Sequence, residues 1–149
     1  MLHKQYLWLG IAYLLTIIPL AALADSPQTI GDYTIHYSAF NTDVLQPNVA
    51  ENYHIVRSKN RGMLTISVFK NDLLPAGKAV HAAVTVSASN LSGQLRNFDV
   101  REVVEGSAIY YISEFHVAHE EILDFTLEIV PEGETEPLIA KFRQKFYTQ

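Results

Sequence analysis

The sequence predicts an all-β fold, an immunoglobulin-like antiparallel β-sandwich of about seven strands with one short helix. Two observations lead to this prediction. Apolar and polar residues alternate in several short segments after residue 25, a pattern typical of strands with one buried face. Turn signals that contain glycine, proline or asparagine separate these segments. A small β-barrel is the alternative fold.

Five segments show the alternation most clearly. In the last of them, Leu138, Ala140 and Phe142 alternate with Lys141 and Arg143, which predicts an apolar inner face and a cationic outer face. The five predicted strands are 33–38, 64–68, 80–87, 123–129 and 138–146.

Two more strands are expected in segments 98–104 and 108–117, joined by a tight hairpin turn at Glu105-Gly106. Residues 110–112 are apolar at consecutive positions, which favours a central strand for the second of these segments. The one predicted helix begins at Pro47 and continues for about two turns, because proline is favourable in a first helical turn. The other predicted turns are 71–77, 92–93 and 131–133.

The first 24 residues have the features of a secretory signal peptide. Lys4 precedes an apolar run of about 15 residues, shorter than the roughly 20 needed to span a bilayer. The small residues of Ala22-Leu23-Ala24 then form a cleavage site. We therefore expect residues 1–24 to be removed and residues 25–149 to form a single β-sandwich domain. A retained N-terminal anchor is the alternative.

Charge and cysteine content narrow the class of protein further. The chain carries a net charge of −5, and loss of Lys4 with the signal peptide makes it −6. Nucleic-acid binding needs a basic surface, so this balance argues against it. Small exported domains often depend on disulfides, but this chain has no cysteine. These features predict a periplasmic bacterial envelope protein, stabilised by packing, with no stable membrane span after cleavage.

One short run concentrates positive charge in this acidic chain. Three cations fall within residues 57–61, between the predicted helix and the next strand. Arginine side chains suit a carboxylate, a phosphate or an acidic lipid headgroup. The alternative is a structural loop whose cations pair with acids of the domain, such as Glu102 or Glu105. The candidate binding residues are Arg57, Lys59, Asn60 and Arg61.

Metal and catalytic motifs are weak. His116 and His119 are followed by acids, but no third histidine is near them in sequence, so we predict no metal site and no cofactor. No serine lies in a Gly-x-Ser-x-Gly motif and no cysteine is present, so the sequence predicts a protein that is not an enzyme.

The functional prediction is a non-catalytic binding or interaction module of the cell envelope. Its partner would be an unknown envelope protein, an acidic peptide or an anionic group, held by the basic run or by strand addition at an exposed sheet edge. A small-ligand or metal-binding domain centred on His116 and His119 is the first alternative. A hydrolytic enzyme with a site built from distant loops is the second.

Several strings together resemble one exported bacterial family, the domain of unknown function DUF4426. They are residues 36–41, 55–62, 109–112 and 144–148, and the resemblance extends over the whole chain after the signal peptide. It implies a small periplasmic, immunoglobulin-like sandwich with no established activity, cofactor or catalytic residue. The connection at residues 71–77 departs from it, because it is longer than the resemblance leads us to expect.

The signal peptide gives a first testable prediction. Protein recovered from its native host should begin at Asp25 and lie in the envelope fraction, because the peptidase cuts after the small residue Ala24. Mass spectrometry of the intact protein checks this. An N-terminal methionine on cytosolic protein would contradict it.

Overall fold

The computed structural model of the protein describes residues 27–72 and 77–149. The predicted signal peptide at residues 1–24, and the middle of the predicted turn at 71–77, lie outside these residues. The described residues form ten strands: β1 Gln28–Ile30, β2 Tyr33–Asn41, β3 Arg61–Lys70, β4 Lys78–Ala79, β5 Ala82–Asn90, β6 Leu95–Phe98, β7 Arg101–Glu105, β8 Ala108–His116, β9 Ile122–Pro131 and β10 Leu138–Lys145. They also contain a 3-10 turn, Thr42–Val44, and one α-helix, α1, Pro47–Asn52.

The strands form two antiparallel sheets. The first has the order β1-β2-β3-β8-β7, with β4 also paired to β3, and the second has the order β10-β9-β5-β6. The predicted all-β sandwich is confirmed, and the described strands do not close into a barrel. Strand β8 lies between β3 and β7, as its continuous apolar residues predicted.

The core fills the space between the sheets. Alternate residues of the long strands, such as β2 and β9, point inward, so their apolar positions in the sequence pattern are the buried ones. Five phenylalanine rings occupy the centre and contact one another across the two sheets. We call these rings the aromatic core: Phe98, Phe115, Phe125, Phe142 and Phe146.

Helix α1 covers part of the outer face of the first sheet. Pro47 starts it, as predicted, and its buried residue Ala50 packs with Ile55, Met63 and Ile112 in a second, smaller apolar cluster. None of the helices within the described residues is long and apolar enough to cross a membrane.

The predicted strand at 98–104 is wrong in one respect, because the structure divides it. Phe98 ends β6 in the second sheet, and Arg101 begins β7 in the first, so the chain changes sheets at Asp99-Val100. The alternation of apolar residues does not report a change of sheet, because Phe98 and Val100 both pack against the core. Strands β1 and β4, only three and two residues long, were not predicted.

Gly62 lies inside β3 rather than in the loop that precedes it. A Cβ atom at this position would lie 2.4 Å from Cε2 of Phe115, a residue of the aromatic core. The glycine therefore allows close packing of β3 and β8, which pair Gly62 with Phe115.

This contact generates a stability prediction. Gly62→Ala should lower the free energy of unfolding by about 1–3 kcal/mol, because the added methyl group overpacks a filled core. Urea denaturation measures the change. In a background carrying Phe115→Leu, which removes the opposing ring, the same substitution should cost much less. Equal costs in the two backgrounds would contradict the explanation.

Candidate functional site

The predicted basic run forms the connection from α1 to β3, at one end of the sandwich. Arg57 is exposed, and its guanidinium group donates to the carbonyl of Asp43 at 2.9 Å. Lys59 is exposed, and its ammonium group has no hydrogen bond or ion pair among the described residues. Asn60 is also exposed, and its carbonyl accepts the N–H of Val117 at 3.0 Å. The side chains of these three residues thus reach solvent, while the backbone of the connection is held.

A buried hydroxyl holds the base of this connection. Thr42 is fully buried, and its Oγ1 accepts the N–H of Ser58 at 2.9 Å. The same hydroxyl lies 2.8 Å from the carbonyl oxygen of Val56 and 3.1 Å from that of Ser58. A buried polar group of this kind must be bonded, so these contacts fix the conformation of the connection.

The amide of Asn41 joins the basic run to the last residues of the chain. Its Nδ2 donates to the carbonyl of Lys59 at 2.7 Å and to the carbonyl of Tyr147 at 3.0 Å. Phe146, between Tyr147 and β10, is buried, and its N–H bonds the carbonyl of Glu121 at 2.8 Å. The two segments are therefore neighbours, although about 90 residues separate them in sequence.

Tyr147 adds an aromatic ring to this surface. Its side chain is 55% exposed, the Nζ of Lys145 lies 4.9 Å from the ring centroid, and the ring of His119 lies 6.2 Å away. Tyrosine is among the residues that are enriched in protein interfaces. We call this surface the basic end, formed by Arg57, Lys59, His119, Lys145 and Tyr147.

Arg61 differs from the other predicted binding residues. It begins β3, and its Nη2 lies 3.7 Å from one carboxylate oxygen of Glu114, whose other oxygen lies 3.8 Å from Nη2 of Arg101. The Nε of Arg61 is buried without a hydrogen-bond partner among the described residues. Arg61 is therefore directed into the protein. The acid it meets is Glu114 rather than Glu102 or Glu105.

The weak metal candidates His116 and His119 do not form a cluster with acids. The part of the chain that the structure describes contains no group of three histidine, cysteine, aspartate or glutamate side chains that could hold a metal ion. The Nδ1 of His119 accepts the N–H of Thr148 at 3.2 Å. The acids that follow bind cations instead, because Glu120 contacts Lys145 and Glu121 contacts Arg96.

A second polar cluster, which the sequence did not suggest, connects the first sheet to the start of β5 in the second sheet. Tyr111 is buried, and its hydroxyl accepts the N–H of Ala82 at 2.7 Å and donates to Glu102 at 2.8 Å. The same carboxylate oxygen of Glu102 lies 3.0 Å from Nδ1 of His81. The three side chains come from the β4–β5 connection, β7 and β8, so no local spacing could have indicated them.

This cluster borders a cavity of about 620 Å3, which lies where the first sheet forks. Strand β3 pairs with β8 up to Ile66 and with β4 from Phe69 onward. Strand β4 and the β7–β8 hairpin therefore lie apart from each other, and both contribute residues to the cavity lining. The cavity walls are mainly apolar, with His81 and Glu132 among their polar groups.

The hydrogen bonds of the cluster shift its pKa values. The bond to Glu102 raises the pKa of His81 above 6.5, and the bond to His81 lowers the pKa of Glu102 below 4.5. Burial, with the bond to Glu102, raises the pKa of Tyr111 to about 12. The cluster therefore favours a protonated His81 beside an ionised Glu102, and it keeps the phenol of Tyr111 neutral.

These directions predict a pH-dependent contribution to stability. The contribution of His81 is complete below its unfolded pKa of 6.5 and is lost as pH rises through its folded pKa. That of Glu102 is complete above its unfolded pKa of 4.5 and is lost as pH falls through its folded pKa. The pair should therefore stabilise the fold most between these two values.

A double-mutant cycle with His81→Gln and Glu102→Gln, measured by urea denaturation at several pH values, checks this prediction. The coupling energy should be largest between pH 4.5 and 6.5 and smaller at pH 8.5. A coupling that does not change with pH would contradict it.

Residues 27–149 match the family described as "Domain of unknown function (DUF4426)". A crystal structure of a DUF4426 family protein from Pseudomonas aeruginosa is 34% identical in sequence, with a TM-score of 0.72. The match covers 85% of this chain and 97% of that chain. No curated protein matches the chain.

Two structures of FetP from uropathogenic Escherichia coli are also similar. One is of the protein as isolated after expression in the periplasm, with 11% identity, a TM-score of 0.59, and coverage of 85% of this chain and 95% of FetP. The other is a copper-bound variant, with 10% identity, a TM-score of 0.58, and coverage of 85% and 97%. At this identity the similarity shows a shared fold only.

Proposed function

Because the chain belongs to the DUF4426 family, a domain of unknown function, we propose its function from the geometry of its surface. It is a non-catalytic binding module of the bacterial cell envelope, and it holds an acidic partner at the basic end. The observation that carries the proposal is the pair of hydrogen bonds from Asn41, which brings the basic run and Tyr147 together.

The charge of the basic end supports this function. The chain is acidic overall, with 16 acidic against 11 basic residues. Yet neither Arg57 nor Lys59 has a carboxylate partner among the described residues, since Arg57 contacts only a carbonyl. The backbone that carries these cations is already held by Thr42, so binding of an anionic group has to order only their side chains.

Exposed apolar residues beside the basic end favour a polypeptide partner over a small free anion. Val44 is 68% and Val56 is 59% exposed, and both lie in segments that Thr42 holds together. Tyrosine and arginine are enriched in protein interfaces, and the two exposed valines add apolar area that a small free anion would leave uncovered. We therefore propose an acidic peptide or an acidic envelope protein as the partner.

The location in the envelope is part of the same proposal. It is supported by the signal-peptide features of residues 1–24 and by the absence of cysteine from the chain. FetP, whose fold is similar, was expressed in the periplasm.

The copper-bound FetP structure relates to the metal-binding alternative. The described residues of this chain contain no group of three metal-binding side chains, so this alternative has no site to argue from. The metal-binding alternative stays a prediction centred on His116 and His119. The hydrolytic alternative, with a site built from distant loops, also stays a prediction.

The binding function is tested with a fluorescent oligo-glutamate peptide. The domain that begins at Asp25 should bind it, and the affinity should fall with salt, because exposed charges are screened. Arg57→Ala/Lys59→Ala should weaken binding about tenfold, since two exposed charge contacts contribute roughly 1.4 kcal/mol together. Fluorescence anisotropy gives the dissociation constants.

Lys70→Ala/Lys78→Ala is the matched control, because it removes the same charge from the opposite end of β3. Its affinity should stay close to that of the wild type. Equal losses in the two double variants, or no binding by the wild type, would overturn the proposal.

A further inference from the structure

We propose that the outer edge of β10 is a docking site for an acidic, extended peptide, which adds to the second sheet as a fifth strand. The inference rests on the proposed function and deepens it, because it names the class of partner and the mode of binding. It depends on the free edge of β10, on the direction of its backbone groups and on the charges of its side chains.

Strand β10 offers the longest free edge among the described strands that end the two sheets. All eight of its residues pair with β9 on one side, and no described strand pairs with the other side. The other terminal strands, β1, β6 and β7, have three, four and five residues. A long unpaired edge is a template for strand addition.

One contact shows which backbone groups face this edge. The carbonyl of Lys141 accepts a hydrogen bond from the side chain of Gln28 at 2.8 Å, and Gln28 lies in the first sheet. The carbonyl of Lys141 therefore points away from β9, and an added strand would take the place of the Gln28 amide at this carbonyl. In an antiparallel ladder, alternate residues direct both N–H and C=O to the same side. The residues that face the free edge are thus Ile139, Lys141, Arg143 and Lys145.

Three of these four residues carry a positive charge on the outer face of the sheet. Lys141 is exposed and has no acidic partner among the described residues. Arg143 binds Asp124 through two bonds of 2.6 and 2.8 Å, and Lys145 lies 2.8 Å from Glu120. Ile139, at the start of the strand, is 41% exposed and apolar.

Arg143 and Lys145 already have acidic partners within the domain, so Lys141 is the residue of β10 whose charge favours an acidic partner over a second copy of the chain. Two β10 strands that paired around a twofold axis would place lysine and arginine side chains against one another, which destabilises a cross-strand pair. Cationic residues on an edge strand are a known protection against such self-pairing. A glutamate on an added strand would instead lie beside Lys141, which stabilises the cross-strand pair.

The free edge leads directly to the basic end. Strand β10 ends at Lys145, whose ammonium group lies over the ring of Tyr147. Tyr147 is in turn joined to Lys59 through Asn41. An acidic strand bound along β10 would therefore run toward Arg57 and Lys59. The edge of β10 and the basic end thus form one continuous binding surface.

The test uses the peptide Glu-Thr-Glu-Thr-Glu-Thr-Val, in which alternate acids match the cations of β10 when the strands are antiparallel. Hydrogen exchange is followed by NMR in the domain that begins at Asp25. On binding, exchange should slow at least tenfold at the amides that face the free edge, those of Ile139, Lys141, Arg143 and Lys145. The intervening amides, which already bond β9, should change little.

Two controls make the test specific. A peptide N-methylated at alternate residues, so that its edge amides cannot donate, should bind at least tenfold more weakly. Lys141→Glu should weaken binding of the unmodified peptide at least tenfold. Lys78→Glu, the same charge change on β4, should weaken it far less.

The outcomes separate this inference from the proposed function. Oligo-glutamate binding that needs Arg57 and Lys59, without slowed exchange at the four amides of β10, would overturn the docking edge and leave the basic end standing. Slow exchange at these amides in the free protein would overturn it as well, because the edge would then be occupied. Failure of both peptides to bind would overturn both proposals.

Discussion

The contact of phenylalanine rings between the two sheets is the constraint on which the rest of the structure depends. Phe115 from the first sheet lies 5.5 Å from Phe125 of the second, measured between ring centroids. Phe146 lies 5.6 Å from Phe115, with its ring edge-on. Such pairs contribute about 0.5–1.5 kcal/mol beyond the area they bury. They fix the distance between the sheets, and through Phe146 they also fix the backbone beside Tyr147. The surface that we propose for binding is therefore positioned by the core.

The charged residues divide into two groups with different roles. One group is paired within the protein: Glu114 with Arg61, Glu121 with Arg96, and Glu102 with His81. These pairs connect neighbouring strands and loops. The other group consists of cations without an acidic partner among the described residues, and it includes Lys59 and Lys141. Lys70 and Lys78 also lack an acidic partner among the described residues, so the feature that needs a functional explanation is the position of Lys59 and Lys141 on two adjoining surfaces of an acidic chain.

The sequence predicted the strands well where burial on one face imposes a period of two residues. Strand β9 is an example, since Leu123, Phe125 and Leu127 are all buried and alternate with polar residues. It failed at Asp99-Val100, because a change of sheet leaves the alternation intact. The site was predicted only in part. The exposed cations of the basic run can be recognised from the local sequence. The approach of Tyr147 to Lys59 could not be predicted, because it depends on one long-range contact through the amide of Asn41. The His81–Glu102–Tyr111 cluster could not be predicted either, because its residues come from three separate segments.

The burial of Phe146 also limits how far β10 can move. This residue directly follows β10, and it is among the largest fully buried side chains. Strand β10 cannot leave the second sheet at that end without exposing this ring to water and breaking its contact with Phe115. The core therefore anchors the strand from within, and a ligand that binds along its outer side meets a rigid support.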